Sequence, residues 1–191
     1  MKYIFCTLLF ALAFAACKQE KQGVHLENTF PGPMDTGYLE AYRDGDFWQS
    51  TAYAQYARTA NLYVLDSLYI GLICLTYTAD GFNREFLTLG EIPLKVGIYP
   101  IKGNNAISTG LNGFVGAQYS WGADDGDVFG ATYDHDDENS SGTLEVTFVD
   151  LGSKRIVGKF DRMVFKNQFE AINYPERVIF ERGKFDMKIT E

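Results

Sequence analysis

From Leu144 to Phe148 apolar and polar side chains alternate without a break: Leu144, Val146 and Phe148 fall on one face, Glu145 and Thr147 on the other. A period of two puts successive side chains on opposite sides of an extended chain, and no helix keeps such a set on one side. The run therefore predicts a strand with one buried face, and such a strand needs partners. Leu151-Gly152-Ser153-Lys154 turns the chain into a second apolar run, Ile156 to Phe165. Val178-Ile179-Phe180 with Phe185, Met187 and Ile189 supplies the next, with Gly183 between them at an expected bulge or turn.

The same pattern extends back to residue 38. Asp44-Gly45 favours a type I′ turn, because both central residues of that turn need positive φ, and it joins Tyr38–Arg43 to Asp46–Tyr56 as a hairpin. Asn61 to Leu65, Ser67 to Thr78 and Glu85 to Leu89 follow, and Pro93 and Gly97 break up the approach to Tyr99-Pro100. Phe114 to Gly122 and Val128 to Tyr133 read as a pair around an acidic turn. The run 68–77 is apolar on both parities, which predicts a central strand covered on both sides. Twelve Tyr, fifteen Phe and nineteen Gly agree with strands and tight turns. The chain, 191 residues long, has material for one sizeable core. The expectation is an all-β fold, an antiparallel β-barrel or β-sandwich of about nine to eleven strands, in one domain spanning 38–191.

Residues 1–16 read differently. Met1-Lys2 precedes an apolar run, Tyr3 to Phe14, which ends at Ala15-Ala16-Cys17 and is followed at once by Lys18-Gln19-Glu20-Lys21-Gln22. This is the layout of a secretory signal peptide. The apolar run is shorter than the roughly 20 residues a spanning helix needs. Phe14-Ala15-Ala16-Cys17 resembles the bacterial lipobox, with Phe14 in place of the usual Leu. The expectation is cleavage after Ala16 and lipid on Cys17, with acyl chains enough for stable anchoring. An ordinary signal cut after an Ala-x-Ala-like site is the alternative. Residues 17–37, containing Pro31-Gly32-Pro33 and no apolar period, read as a flexible tether of on the order of 25 Å r.m.s.. The address is the bacterial cell envelope, on the outer membrane, with the periplasmic and surface sides both open.

Cys6 leaves with the signal peptide and Cys17 is acylated, so the mature domain keeps Cys74 alone and no intrachain disulfide can form. Cys74 lies in an apolar run and reads as a small buried hydrophobe. The formal charge of −8 becomes −9 once Lys2 is removed. So acidic a chain argues against nucleic acid and against adhesion to anionic headgroups.

Several of these segments together resemble a known set of sequences. They are Asp44-Gly45-Asp46-Phe47-Trp48, Gly97-Ile98-Tyr99-Pro100, Ser141-Gly142-Thr143-Leu144, Lys154-Arg155-Ile156-Val157-Gly158-Lys159-Phe160 and Gly183-Lys184-Phe185-Asp186-Met187-Lys188-Ile189. Over residues 38–190 the chain is similar to the DUF6252-like lipoproteins of Bacteroidota, a family of uncharacterised function. The resemblance implies a β-rich, lipocalin-like (calycin) body and transfers no catalytic residue.

Two groups of residues are candidates for chemistry. Asp124, Asp125 and Asp127, with Asp134, Asp136, Asp137 and Glu138 around His135, carry the oxygens that Ca²⁺ prefers. Their spacing is not that of an EF-hand loop, and Asp and Gly are also what exposed β-turns use, which is the favoured reading. Trp48, Tyr119 and Trp121, with Phe47, are placed to line a barrel mouth and stack on a sugar or lipid; strand aromatics also serve as plain core. Neither His25 nor His135 has an apparent Ser or Cys partner, and no nucleophile elbow, H-E-x-x-H, C-x-x-C or phosphate loop occurs. No catalytic residue is assigned and no cofactor is required. The expected role is a non-catalytic, lipid-anchored domain that binds a small hydrophobic or saccharide ligand or an envelope protein. The alternatives are an envelope hydrolase with paired carboxylates and a Ca²⁺-stabilised scaffold.

Overall fold

Turn chemistry and alternation build the sheet strand by strand. In the computed structural model, which describes residues 29–56, 69–103, 114–123, 126–140, 142–169 and 173–190, every regular element is a strand. In chain order these are β1 (Phe30–Pro31), β2 (Gly37–Arg43), β3 (Asp46–Tyr56), β4 (Tyr69–Tyr77), β5 (Asn83–Pro93) and β6 (Gly97–Gly103). They continue with β7 (Val115–Ala123), β8 (Val128–His135), β9 (Thr143–Asp150), β10 (Arg155–Asn167) and β11 (Arg177–Thr190). Asp44 and Gly45 have φ of 51° and 94°, as a type I′ turn requires, and they join β2 to β3. At the β9–β10 turn the Asp150 carboxylate accepts from the Gly152 amide at 2.8 Å and the Ser153 hydroxyl at 2.7 Å.

The hydrogen bonding closes in a ring. β2, β3, β4, β5 and β7 follow one another as antiparallel neighbours. From β7 the ring continues by two routes: Gln118–Ala123 pairs β8, while the start of the strand pairs β6 in parallel, and β6 pairs β9. Both routes meet on β10, whose first half takes β9 and whose end takes β8. β10 pairs β11, and β11 returns to β2. The all-β fold is as the alternation predicts, and the ring leaves few open edges. Here β4 departs from expectation: Ile70, Leu72 and Cys74 are buried while Ile73 and Leu75 stay half-buried, so this doubly apolar strand has one core face.

Inward-facing side chains fill the ring. Tyr119, Tyr133, Phe160, Phe165, Phe180 and Phe185 are among its largest fully buried residues. Burying each such side chain contributes about 1.5–3 kcal/mol. Two glycines make the packing possible. Gly183 sits opposite Phe160 and Gly158 opposite Phe185 on paired strands, so each ring lies over the facing backbone. A Cβ at Gly183 would come within 2.0 Å of the Phe160 ring, and one at Gly158 within 2.4 Å of Phe185. Gly183 also lies within the predicted bulge, where β11 shifts register against β2 between Glu181 and Lys184. The outer wall is charged, with Lys159–Glu145 at 3.0 Å and Arg162–Glu181 at 3.4 Å across neighbouring strands.

The segment 29–37, read from sequence as the end of the tether, is docked on this wall. Beyond Thr51–Leu75 the strands β3 and β4 part, and β1 takes the vacated place, pairing Phe30 with Tyr77 and Pro31 with Thr76. Thr51 donates to the Pro33 carbonyl, and Thr36 to the Ala52 carbonyl at 2.9 Å. A Cβ at Gly32 would strike the Tyr77 ring, so this Gly lets the backbone lie flat on an aromatic face.

Candidate functional site

Where β3 and β4 separate, a carboxylate lies inside the protein. Glu85 shares the inward parity of Leu87 and Leu89 on β5 and is fully buried. An ionised carboxylate out of water costs several kcal/mol unless charge and hydrogen bonds compensate it. Five donors converge on it from separate segments. Arg43 reaches Oε1, as does the Tyr119 hydroxyl at 2.6 Å. Oε2 accepts from Trp48 Nε1 at 2.8 Å, from the Thr76 hydroxyl at 2.8 Å and from the Thr29 hydroxyl at 2.9 Å.

Strand parity delivers each donor. Arg43 follows Leu39 and Ala41 on the inner face of β2, Trp48 opens the inner face of β3, and Thr76 faces Glu85 directly across β4 and β5. Tyr119 and Trp121 are two residues apart on β7, so one bonds the carboxylate while the other lies beneath the Arg43 guanidinium, 5.8 Å from its ring centre. Beneath them Tyr119 and Trp48 meet Phe180 edge-on at 5.3 and 5.0 Å.

Electrostatics follow from burial. Desolvation alone would lower the Arg43 value, but the Glu85 charge and its hydrogen bond outweigh it, and the guanidinium is held above its ordinary range. Burial, then the neighbouring Glu85 charge, pushes the Tyr119 phenol well up. Tyr119 thus donates its proton without giving it up. Asp44, at the adjacent hairpin, is raised by burial against the opposing Ile179 amide, which it accepts at 2.9 Å.

Trp48, Tyr119 and Trp121 are therefore brought together, as expected, but as buried walls around Glu85 rather than as the lining of an open mouth; they are 4%, 1% and 5% exposed. The open cleft nearby is a shallow groove between Phe30–Pro33 and the β4–β5 turn. Sequence reading missed Glu85, although its parity with Leu87 and Leu89 already pointed inward.

Among the described residues the acidic side chains do not gather. Asp136 accepts from the Asn139 amide side chain at 2.8 Å and faces Arg177 at 3.7 Å, while Asp134 takes the Gln168 side-chain amide. Asp127 lies in the β7–β8 turn. Among the described residues no three His, Cys, Asp or Glu side chains converge as a metal site requires. Asp124, Asp125, Ala16 and Cys17 lie outside the described residues.

His135, by contrast, has the hydroxyl partner that sequence reading did not see. Its Nε2 lies 2.7 Å from Ser140 Oγ and its Nδ1 2.8 Å from Asp137 Oδ1, the order of a hydrolytic relay. Acyl transfer needs an oxyanion hole and an admitted substrate besides. This imidazole is fully buried against Phe165, and Asp137 also accepts the Gly103 amide at 3.0 Å. The group clasps the loop after β8 to the end of β6. Ser140 escaped notice because its five-residue separation from His135 matches no hydrolase motif.

The chain matches no protein-family model, no curated protein and no solved structure.

Proposed function

We propose that this chain is a lipoprotein of the bacterial cell envelope, of the DUF6252-like kind, held at the outer membrane by lipid on Cys17, and that its β domain is a non-catalytic binding body. Its recognition surface is the exterior. The observation that carries this reading is the filled ring: aromatic side chains occupy the interior, and Glu85, the one buried carboxylate among the described residues, is satisfied by five protein donors. A lipocalin-type pocket needs interior space and unspent polar groups, and the residues that would line it are committed to each other. An envelope protein or the membrane surface fits better than a small hydrophobic or saccharide ligand held inside.

Trp48 and Trp121 flank the interior and report on it. Titration with a fluorescent fatty acid, followed by energy transfer from these tryptophans, should give no saturable one-to-one signal. A saturable signal abolished by Trp48→Phe would overturn the exterior reading.

A further inference from the structure

The ends of the ring differ from its wall, and one end is linked to the anchor. β2–β3, β4–β5, β7–β8 and β10–β11 all connect at the end where Glu85 lies, as their antiparallel registers require. Each of these four connections carries an exposed aromatic: Phe47 with Tyr42, Phe82, Phe129 and Phe169. Phe30 joins them from β1, and the six range from 41% to 76% exposed. They are spread around the perimeter rather than gathered in one patch, whereas the wall of β9, β10, β11 and β2 carries cross-strand ion pairs.

The chain arrives at this same end. β1 runs antiparallel to β4, so going back from Pro31 through Phe30 to Thr29 leads past Tyr77 toward the β4–β5 turn. Thr29 is fastened there by its bond to Glu85. Eleven residues separate Thr29 from Cys17. Even fully extended they reach about 40 Å, while a body of this size is itself on the order of 40 Å across. The chain leaves the body at this end, so a lipid at Cys17 reaches the aromatic end by the shortest path, and the opposite end lies at the limit of the tether's reach.

We propose that the aromatic end of the ring is a membrane-docking face that lies in the headgroup region of the bilayer in which Cys17 is anchored. The inference rests on the anchor reading. Aromatic side chains suit the boundary between headgroups and acyl chains. Asp46, Asp80 and Asp127 stand exposed in the turns among them. These carboxylates stop the loops at headgroup depth and set the preferred lipid: a zwitterionic surface accepts the face, and an anionic one repels it. Thr29, latched to Glu85, fixes the direction in which the chain leaves the body, so the buried polar cluster acts as the mount for the tether.

The test uses the full lipidated protein in phosphatidylcholine vesicles with brominated acyl chains, carrying Phe169→Trp in one sample and, at the opposite end, Leu151→Trp in another. Quenching at position 169 should be several-fold stronger than at position 151, above the background of the buried Trp48 and Trp121, and it should weaken when anionic lipid replaces half the phosphatidylcholine. Equal quenching at the two positions would overturn the proposal and leave the aromatic end to a protein partner. Intact mass is measured on the same samples. A chain without lipid that still shows strong quenching at 169 would refute the anchor and sustain the docking face; a lipidated chain without it would do the reverse.

Discussion

At the scale of single residues, Glu85 organises the open end of the ring. Its value lies less in net stability than in what its removal exposes, because a buried ion pair is strongly destabilising when one partner is lost. Glu85→Ala should lower unfolding free energy by about 3–5 kcal/mol in urea titration, and Glu85→Leu with Arg43→Met should recover most of it. A single variant no worse than a surface substitution would contradict the cluster. Burial also governs the alkaline limb of stability. The Cys74 thiol is pushed up from 9.0 to about 12 by burial, and Tyr119 is raised as well. Groups raised in the folded state contribute stability that is complete below their unfolded values and lost as pH climbs toward the folded ones. Stability should therefore fall between about pH 9 and 12, and less steeply in Cys74→Ala, as chemical denaturation at stepped pH would record. Cys74 was legible as a buried hydrophobe. Trp48, Tyr119 and Trp121 were legible as a group but not in their role, since hydrogen bonds to a distant Glu leave no local trace.

Among the elements, the pairing of β10 with β11 shows how glycine and phenylalanine divide a position. Ala is ordinarily the better residue in a strand, yet at Gly183 it would drive a methyl into the Phe160 ring. Gly183→Ala should cost about 1–3 kcal/mol, and Phe160→Leu in the same chain should relieve part of it; additive losses in denaturation would show that the two do not touch. The Asp44-Gly45 hairpin was plain in the sequence because turn residues act locally. The β9 alternation held for Leu144 and Val146 alone, because a bulge against Val157 and Gly158 of β10 skips Thr147, leaves Phe148 43% exposed instead of buried and turns Val149 toward the core. β1 was not: two residues beside Pro31-Gly32-Pro33 carry no period, and the place they fill exists only because β3 and β4 diverge beyond Thr51. His135 and Ser140 were hidden for a related reason, their contact being made by a loop path and not by a repeat.

On the scale of the whole molecule, ring closure explains how the described residues, whose one cysteine is the buried Cys74, hold a well-defined core: the sheet covers its own edges and fills its own interior. The proposed binding role is accordingly assigned to the surface, which carries a charged wall and, where the chain enters, an aromatic end. All of this turns on where the mature protein begins. Intact mass and N-terminal fragmentation of the protein taken from membranes test that directly. The expected result is a chain starting at Cys17 and carrying a diacylglyceryl thioether, with Cys17→Ser released into the aqueous fraction. A mature N-terminus elsewhere, or an unmodified Cys17 on a chain that stays with the membrane, would contradict the account.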